Sequence, residues 1–306
     1  MKKISLIVPC FNEEDTVEAF YHKAIEVWQK LDQYEMEIVY VDDGSKDRTL
    51  QKIEMLHEKD HRVKCTSFSR NFGKEAAIFA GLHHVTGDAA VVVDVDLQHP
   101  LEKIPEMVSL WEQGYEVVEG VKEDRGTEKR IHKGFANLFY SWISKLAGLD
   151  MKNSSDFKLL DRKVIEALKA FREKTPFFRA LSFWVGFKSI AVSYTVEERS
   201  AGVTKWSTKA LVKYAFRNLI SFTYAPLYMI AVLGVLVILF GVVLGVDALV
   251  TYLNGTAQGG YPTLLFVILL STGAIIFSLG IMSIYIAKIY EEIKGRPQYI
   301  VGKMID

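Results

Sequence analysis

Short, unbroken apolar runs mark the first hundred positions, and a longer mixed stretch follows each. Ile4–Pro9, Met36–Val41, Val63–Phe68 and Ala89–Val93 are the runs. The stretches from about Glu14 to Leu31, Asp47 to Glu58 and Lys74 to Val85 read as helices. Runs this short, without polar alternation, predict strands buried on both faces, and the strand–helix alternation predicts a parallel sheet covered on both sides. In such sheets ligands bind beyond the carboxyl ends of the strands.

The far end of the chain has another pattern. From Ala225 to Ala287 the only charged residue is Asp247. Tyr224–Val246 gives 23 uncharged residues and Pro262–Ala287 gives 26. At 1.5 Å per residue the shorter one spans roughly 34 Å, enough for a bilayer core of about 30 Å. A polar, uncharged turn, Asn254–Gly260, separates them. Two soluble helices in succession would each need a polar face, so this pattern predicts a transmembrane hairpin. Lys205, Lys209, Lys213 and Arg217 precede it, and Lys288, Lys294, Arg296 and Lys303 follow it. Positive residues flanking both spans, with none in the turn, put the N-terminal domain and the tail on the cytoplasmic side of the membrane. Met1-Lys2-Lys3 leads directly into the first apolar run and Pro9, which does not read as a signal peptide.

Between domain and hairpin, Lys205, Lys209, Lys213 and Arg217 recur every four residues, and no acid occurs from Ser200 to Tyr224. At about 100° per residue they share one face, so the segment predicts a basic amphipathic helix on an anionic membrane surface. Phe135–Leu149 and Thr175–Phe187, each rich in Phe and Trp, also read as membrane-facing. The expected division is a cytoplasmic domain over 1–198, a basic juxtamembrane segment over 199–223, two spans within 224–290 (about 224–250 and 262–287) and a cytoplasmic tail over 291–306.

The 306 residues carry 37 basic and 37 acidic side chains. This balance argues against a nucleic-acid partner. Cys10 and Cys65, without a Cys-x-x-Cys pair, read as buried thiols rather than a disulfide or zinc framework.

Three predicted strands end in acids: Pro9-Cys10-Phe11-Asn12-Glu13-Glu14, Asp42-Asp43-Gly44-Ser45 and Asp94-Val95-Asp96-Leu97-Gln98. Each has an ordinary alternative as a turn or helix cap. Converging on one sheet edge, unpaired carboxylates would repel one another, and a bound cation resolves the conflict. Asp94 and Asp96, two apart, project to one side of an extended chain. Oxygen ligands suit Mg²⁺ or Mn²⁺ better than zinc. No glycine-rich dinucleotide fingerprint and no Walker loop is present.

VPCFNEE, VDDGS and VDVDLQHP, in this order, resemble the nucleotide-binding signature of family-two GT-A glycosyltransferases. SRNFGKEAA at 69–77, SDFKLLDR at 155–162, WVGFK at 184–188, RSAGVTKWS at 199–207 and KGRP at 294–297 extend the resemblance to bacterial polyisoprenyl-phosphate glycosyltransferases. Bactoprenol glucosyltransferases and dolichol-phosphate mannose synthases are the similar groups. The resemblance implies a GT-A, Rossmann-like α/β domain with amphipathic interface helices and a two-helix transmembrane C-terminus. It implies inverting transfer of a hexose, glucose first and N-acetylglucosamine next, from a UDP-sugar to undecaprenyl phosphate, in contact with membrane lipids.

Pro9, Phe11, Glu13, Asp42 and Asp43 would then frame the nucleoside. Asp94 and Asp96, with Gln98 nearby, would hold the metal on the diphosphate, with Asp96 counted as catalytic. Arg125, Arg130, Arg199 and Lys205 would bind the acceptor phosphate, with Lys129 a weaker candidate. Asp156 would act as base or orient the acceptor. A homo-oligomer, a tetramer by resemblance, is implied. His99 departs from the acid that often follows the Gln of this motif, and its expected place is beside the metal ligands or on the surface rather than among them. A processive polysaccharide synthase is the competing enzyme, but its Gln-x-x-Arg-Trp motif is absent. A non-catalytic nucleotide-sugar sensor is the competing reading from another class.

Overall fold

The computed structural model describes residues 1–122, 154–174, 176–195, 225–255 and 260–306. The predicted basic helix, the aromatic stretch 135–149 and the centre of the polar turn lie outside the described residues.

The four apolar runs form parallel strands β1 (Lys2–Cys10), β2 (Tyr34–Asp42), β3 (Val63–Phe68) and β4 (Ala89–Val92). The stretches between them form α1 (Val17–Trp28), α2 (Thr49–Lys59) and α3 (Lys74–His84). Next come α4 (Ile104–Glu112), β5 (Val117–Lys122), β6 (Ser154–Asp161), α5 (Arg162–Lys169), α6 (Phe178–Trp184) and β7 (Ser189–Tyr194). Two long helices follow, α7 (Ala225–Leu253) and α8 (Tyr261–Ile293), and then β8 (Val301–Ile305). The sheet order is β7-β5-β6-β4-β1-β2-β3-β8. Parallel pairing holds for β4-β1-β2-β3, as expected, but β6 and β8 run antiparallel to the strands beside them, so the full sheet is mixed.

Alternate residues of β1 feed two cores. Ile4, Leu6 and Val8 pack with Phe20, Ile53 and Met107 from α1, α2 and α4. Ile7 packs with Phe79, Ile165 and Phe178 from α3, α5 and α6 on the other face. Gly81 sets the depth of α3, because a Cβ there would come within 2.2 Å of the Ile7 side chain. The β1–β2–β3 register aligns Cys10 with Asp42 and Asp42 with Ser67, so these strand ends form one edge. Pro9 costs no ladder bond. Like Ile7, it faces the β4 side, and the last β1–β4 pair is Ile7 with Val92.

Two sequence expectations change. Phe177 and Phe178 belong to the core, only 4% and 0% exposed, because α6 lays them against the sheet, whereas Trp184 at its end is strongly exposed. The segment read as a tail is an edge strand. β8 pairs with β3, and Tyr299 stacks on Phe68 with ring centroids 4.8 Å apart. The residues up to Thr195 and Arg296–Asp306 thus belong to one compact unit, and the long helices form another.

In that second unit, Leu227–Leu253 and Phe266–Ile293 are each long and apolar enough to cross a membrane. Neither stretch is buried by protein, so side chains such as Leu239, Val243, Leu269 and Phe277 stay exposed. A buried helical pair of a soluble protein would hide them.

Candidate active site

A cavity of about 670 Å³ opens at the carboxyl ends of β1, β2 and β3, lined by Phe11, Asp42, Ser45, Ser67, Arg70 and Lys303 among others. Gly302 of β8 also lines it. A smaller cavity, about 430 Å³, lies at the opposite strand ends around Lys3, Tyr34 and Arg62, away from the acidic loops.

Asp42 and Asp43 are both buried, and their partners differ from the sequence expectation of unpaired charge. Asp42 accepts from the Ser45 amide at 3.1 Å and the Ser67 hydroxyl at 2.7 Å. Asp43 accepts from the amides of Phe72 and Gly73 at 2.6 and 2.9 Å. Burial raises the Asp43 carboxyl above its usual range, and these two amides only partly oppose it. Gly44, with φ +68°, lets the β2 turn approach this loop: a Cβ there would lie 2.4 Å from the Arg70 carbonyl carbon. Glu13 accepts from the Thr16 hydroxyl at 3.0 Å, just before α1. Asn12, also at positive φ, accepts from the Lys46 amide and so ties the β1 loop to the β2 loop.

The second cluster lies at the end of β4. The antiparallel β4–β6 register pairs Val92 with Lys158. Continuing it by two residues sets Asp156 opposite Asp94. Lys74, the first residue of α3, joins them. Its Nζ lies 2.6 and 2.8 Å from the two Asp94 carboxylate oxygens and 2.8 Å from Asp156 Oδ2. Arg179, on α6, donates to both Asp156 oxygens at 2.7 and 3.0 Å. Burial pushes the carboxyls of Asp94 and Asp156 upward. Lys74 at both, and Arg179 at Asp156, more than reverse this: Asp94 is held below the usual carboxylate range and Asp156 well below it. Glu75 accepts from the Phe178 amide at 2.9 Å, and burial with the nearby Asp156 charge pushes it up to about 7.

Asp96 is partly buried and accepts from the Gln98 amide at 3.1 Å, within a tight loop that has Leu97 at φ +59°. His99 is buried. Its Nδ1 accepts from the Asp94 amide at 3.1 Å, its ring stacks on Phe157, and Tyr194 packs edge-on. Burial lowers the His99 pKa, which keeps the ring neutral and able to accept. It therefore orients the Asp94 backbone from a buried position rather than lying on the surface.

Comparison with known proteins places this arrangement. The profile of Glycosyl transferase family 2 matches residues 5–168, from β1 into α5. An SfII prophage-derived bactoprenol glucosyl transferase of Shigella flexneri is 40% identical over 98% of both chains.

The chain belongs to glycosyl transferase family 2.

A prophage bactoprenol glucosyl transferase homolog of Escherichia coli is 39% identical over 99% of both chains. Among solved structures, glucosyl-3-phosphoglycerate synthase of Mycobacterium tuberculosis, crystallised with Mn²⁺, UDP and phosphoglyceric acid, matches with a TM-score of 0.51 at 20% identity, over 72% of this chain and 77% of that one. The sheet and its helices are the expected GT-A fold, and the chain is a glycosyltransferase.

Within this family 2 enzyme, the described residues bring Asp94 and Asp156 together through Lys74 and set Asp96 and Gln98 in the adjoining loop. Phe11 and Asp42 line the cavity, while Asp43 holds the Phe72–Gly73 loop, Glu13 accepts from nearby Thr16 and Pro9 is buried in β1. Arg125, Lys129, Arg130, Arg199 and Lys205 lie outside the described residues. Sequence reasoning missed the roles of Lys74 and Arg179. Lys74 stood inside the quoted SRNFGKEAA stretch. Arg179 stood unremarked among aromatics read as membrane-facing.

Proposed function

We propose that this enzyme transfers glucose, with inversion, from UDP-glucose to undecaprenyl phosphate at the cytoplasmic face of the membrane. One observation carries the reading: identity of 40% with a bactoprenol glucosyl transferase over 98% of both chains, the two apolar helices included. The basic residues on both sides of those helices support cytoplasmic placement of the catalytic domain.

The donor's nucleoside fits the cavity between Phe11, Asp42, Ser67 and Arg70. Asp94 and Asp96, assisted by Gln98, are the residues that would hold Mg²⁺ or Mn²⁺. The donor set is all oxygen, which suits a hard cation. A hard cation held by one or two carboxylates takes its remaining ligands from phosphate and water. When bound, the ion neutralises charge on the departing diphosphate.

Asp156 orients rather than deprotonates. Two cations stabilise its charged form, which makes it a weak base. An acceptor phosphate with a second pKa of about 6 is already mostly dianionic at neutral pH and needs no base. Asp156 instead aims Arg179, whose guanidinium suits contact with an acceptor phosphate. Arg125, Arg130, Arg199 and Lys205 complete the acceptor site in this reading.

The test is a donor screen. Purified full-length protein is incubated with undecaprenyl phosphate, Mg²⁺ and each of several UDP-sugars, and lipid-linked product is read by mass. Glucosylated lipid from UDP-glucose is the expected result. Product from UDP-N-acetylglucosamine alone would change the sugar. No lipid product from any donor would overturn the reading in favour of a sensor.

A further inference from the structure

Lys74 occupies a position that a metal-assisted donor site makes awkward. Its ammonium has three N–H donors, and three carboxylate oxygens lie 2.6–2.8 Å away: both of Asp94 and Oδ2 of Asp156. The lysine cannot drift off cheaply, because its helix is pinned at two points. The Asp43 carboxylate grips the amides of Phe72 and Gly73 just before it. Behind it, Gly81 seats α3 against Ile7. Asp156 keeps Arg179 whatever Lys74 does. Among the described residues Asp94 has no such second cationic partner of full charge, since His99 meets it mainly through the backbone amide.

A divalent cation arriving alone at Asp94 must therefore displace an ammonium in direct contact or sit beside it, like charge against like charge. Arriving with a diphosphate it meets a different balance, because the incoming phosphate oxygens offer Lys74 a replacement for the carboxylate it gives up.

We propose that Lys74 is a built-in counterion that keeps Asp94 closed to free divalent cations, so that metal is accepted only together with the nucleotide diphosphate. This rests on the donor-site reading above. Lys74 stays paired throughout, with carboxylates before the donor binds and with phosphate oxygens after. The lysine thereby sets the size of the coupling between metal and nucleotide. That coupling is reciprocal, and couplings of this kind are commonly about 5- to 150-fold.

The experiment measures Mn²⁺ binding to the full-length protein in detergent, by electron paramagnetic resonance of free Mn²⁺, with and without saturating UDP. In the wild type, UDP should tighten Mn²⁺ at least about tenfold. Lys74→Met should tighten Mn²⁺ binding without UDP by at least about tenfold, and the further gain from UDP should shrink below about threefold. Lys74→Arg, which keeps the charge, should retain the wild-type pattern. Circular dichroism establishes that each variant is folded, and Lys74→Gln replaces Lys74→Met should the latter not fold. If the folded neutral variant binds Mn²⁺ alone no more tightly than the wild type and keeps the full UDP effect, the counterion role is wrong while the donor site stands. If the wild type binds no Mn²⁺ even with UDP, the donor-site reading fails, and the counterion role fails with it.

Discussion

Asp43→Asn separates two roles for the second acid of the Asp-Asp-Gly-Ser turn. The family resemblance sets Asp43 at the nucleoside; its observed partners are the Phe72 and Gly73 amides at 2.6 and 2.9 Å, and it is 4% exposed. Asparagine has the same shape but one acceptor oxygen. One amide keeps a partner, and the other faces an NH₂ donor. A hydrogen bond to a charged group contributes about 1.5–3 kcal/mol, and an orphaned buried donor costs about 1–3 kcal/mol. With one bond weakened and the other lost, destabilisation of about 2–4 kcal/mol is expected. For a domain of roughly 200 residues, 1 kcal/mol moves Tm by about 2–4 °C, so Tm should fall by roughly 4–16 °C. The loop also carries Lys74, so turnover should fall more than donor affinity. Thermal melts in detergent and UDP calorimetry in the presence of Mn²⁺ read the two effects. A Tm within about 1 °C of the wild type, combined with a large loss of UDP affinity, would refute the structural role and return Asp43 to the nucleoside.

Three further outcomes follow from the same geometry. Arg179→Ala removes the bidentate partner of Asp156 and should lower turnover at least about tenfold, the value of one charged hydrogen bond, with UDP–Mn²⁺ affinity changed less than about threefold; the reverse split would move Arg179 to the donor side. Glu75 is raised to about 7 from an ordinary 4.5, so between those pH values the folded chain retains a proton that the unfolded chain has released. Stability should therefore fall as pH rises through that window, by at most about 1.4 kcal/mol per pH unit; Glu75→Gln should flatten the slope of unfolding free energy against pH, and an unchanged slope would assign it to other groups. Gln258→Cys in the turn between the two spans should react with an impermeant thiol reagent in intact cells, the native Cys10 and Cys65 being buried; protection of the introduced thiol in sealed cells, with labelling only after permeabilisation, would reverse the proposed orientation.

The parts of this fold legible in the sequence were those carried by local pattern. Ile4–Pro9, Met36–Val41, Val63–Phe68 and Ala89–Val93 are continuous apolar runs because helices cover both faces of their strands, and each appears as a strand close to its expected limits. The long apolar helices were equally plain, since only Asp247 brings a charge between Ala225 and Ala287. β8 was not. Val301–Ile305 is short, contains Gly302 and Lys303, and pairs with a strand more than 230 residues earlier, so no local period announces it.

The site shows the same division. Asp94 and Asp96 were recognisable as a pair by their spacing alone. The Lys74–Asp94–Asp156–Arg179 cluster draws on α3, the loop after β4, β6 and α6, and only the antiparallel return of β6 brings Asp156 beside Asp94. The sequence argument assumed unpaired strand-end acids. The folded chain satisfies Asp42 and Asp43 with hydroxyls and amides, and at the β4 end the cation already beside Asp94 is a lysine. Arg179 carried no spacing signal, because its neighbours Phe177 and Phe178 are aromatic for the sake of the core rather than of a membrane.

The most direct test of the central claim is the stoichiometry of one reaction. The full-length enzyme is supplied with UDP-glucose, Mg²⁺ and undecaprenyl phosphate, and released UDP and glucosylated lipid are counted together. The account predicts that the two appear one for one, that neither appears without the lipid phosphate, and that excess chelator stops both. UDP released without lipid-linked glucose, or no turnover with any lipid phosphate, would contradict it.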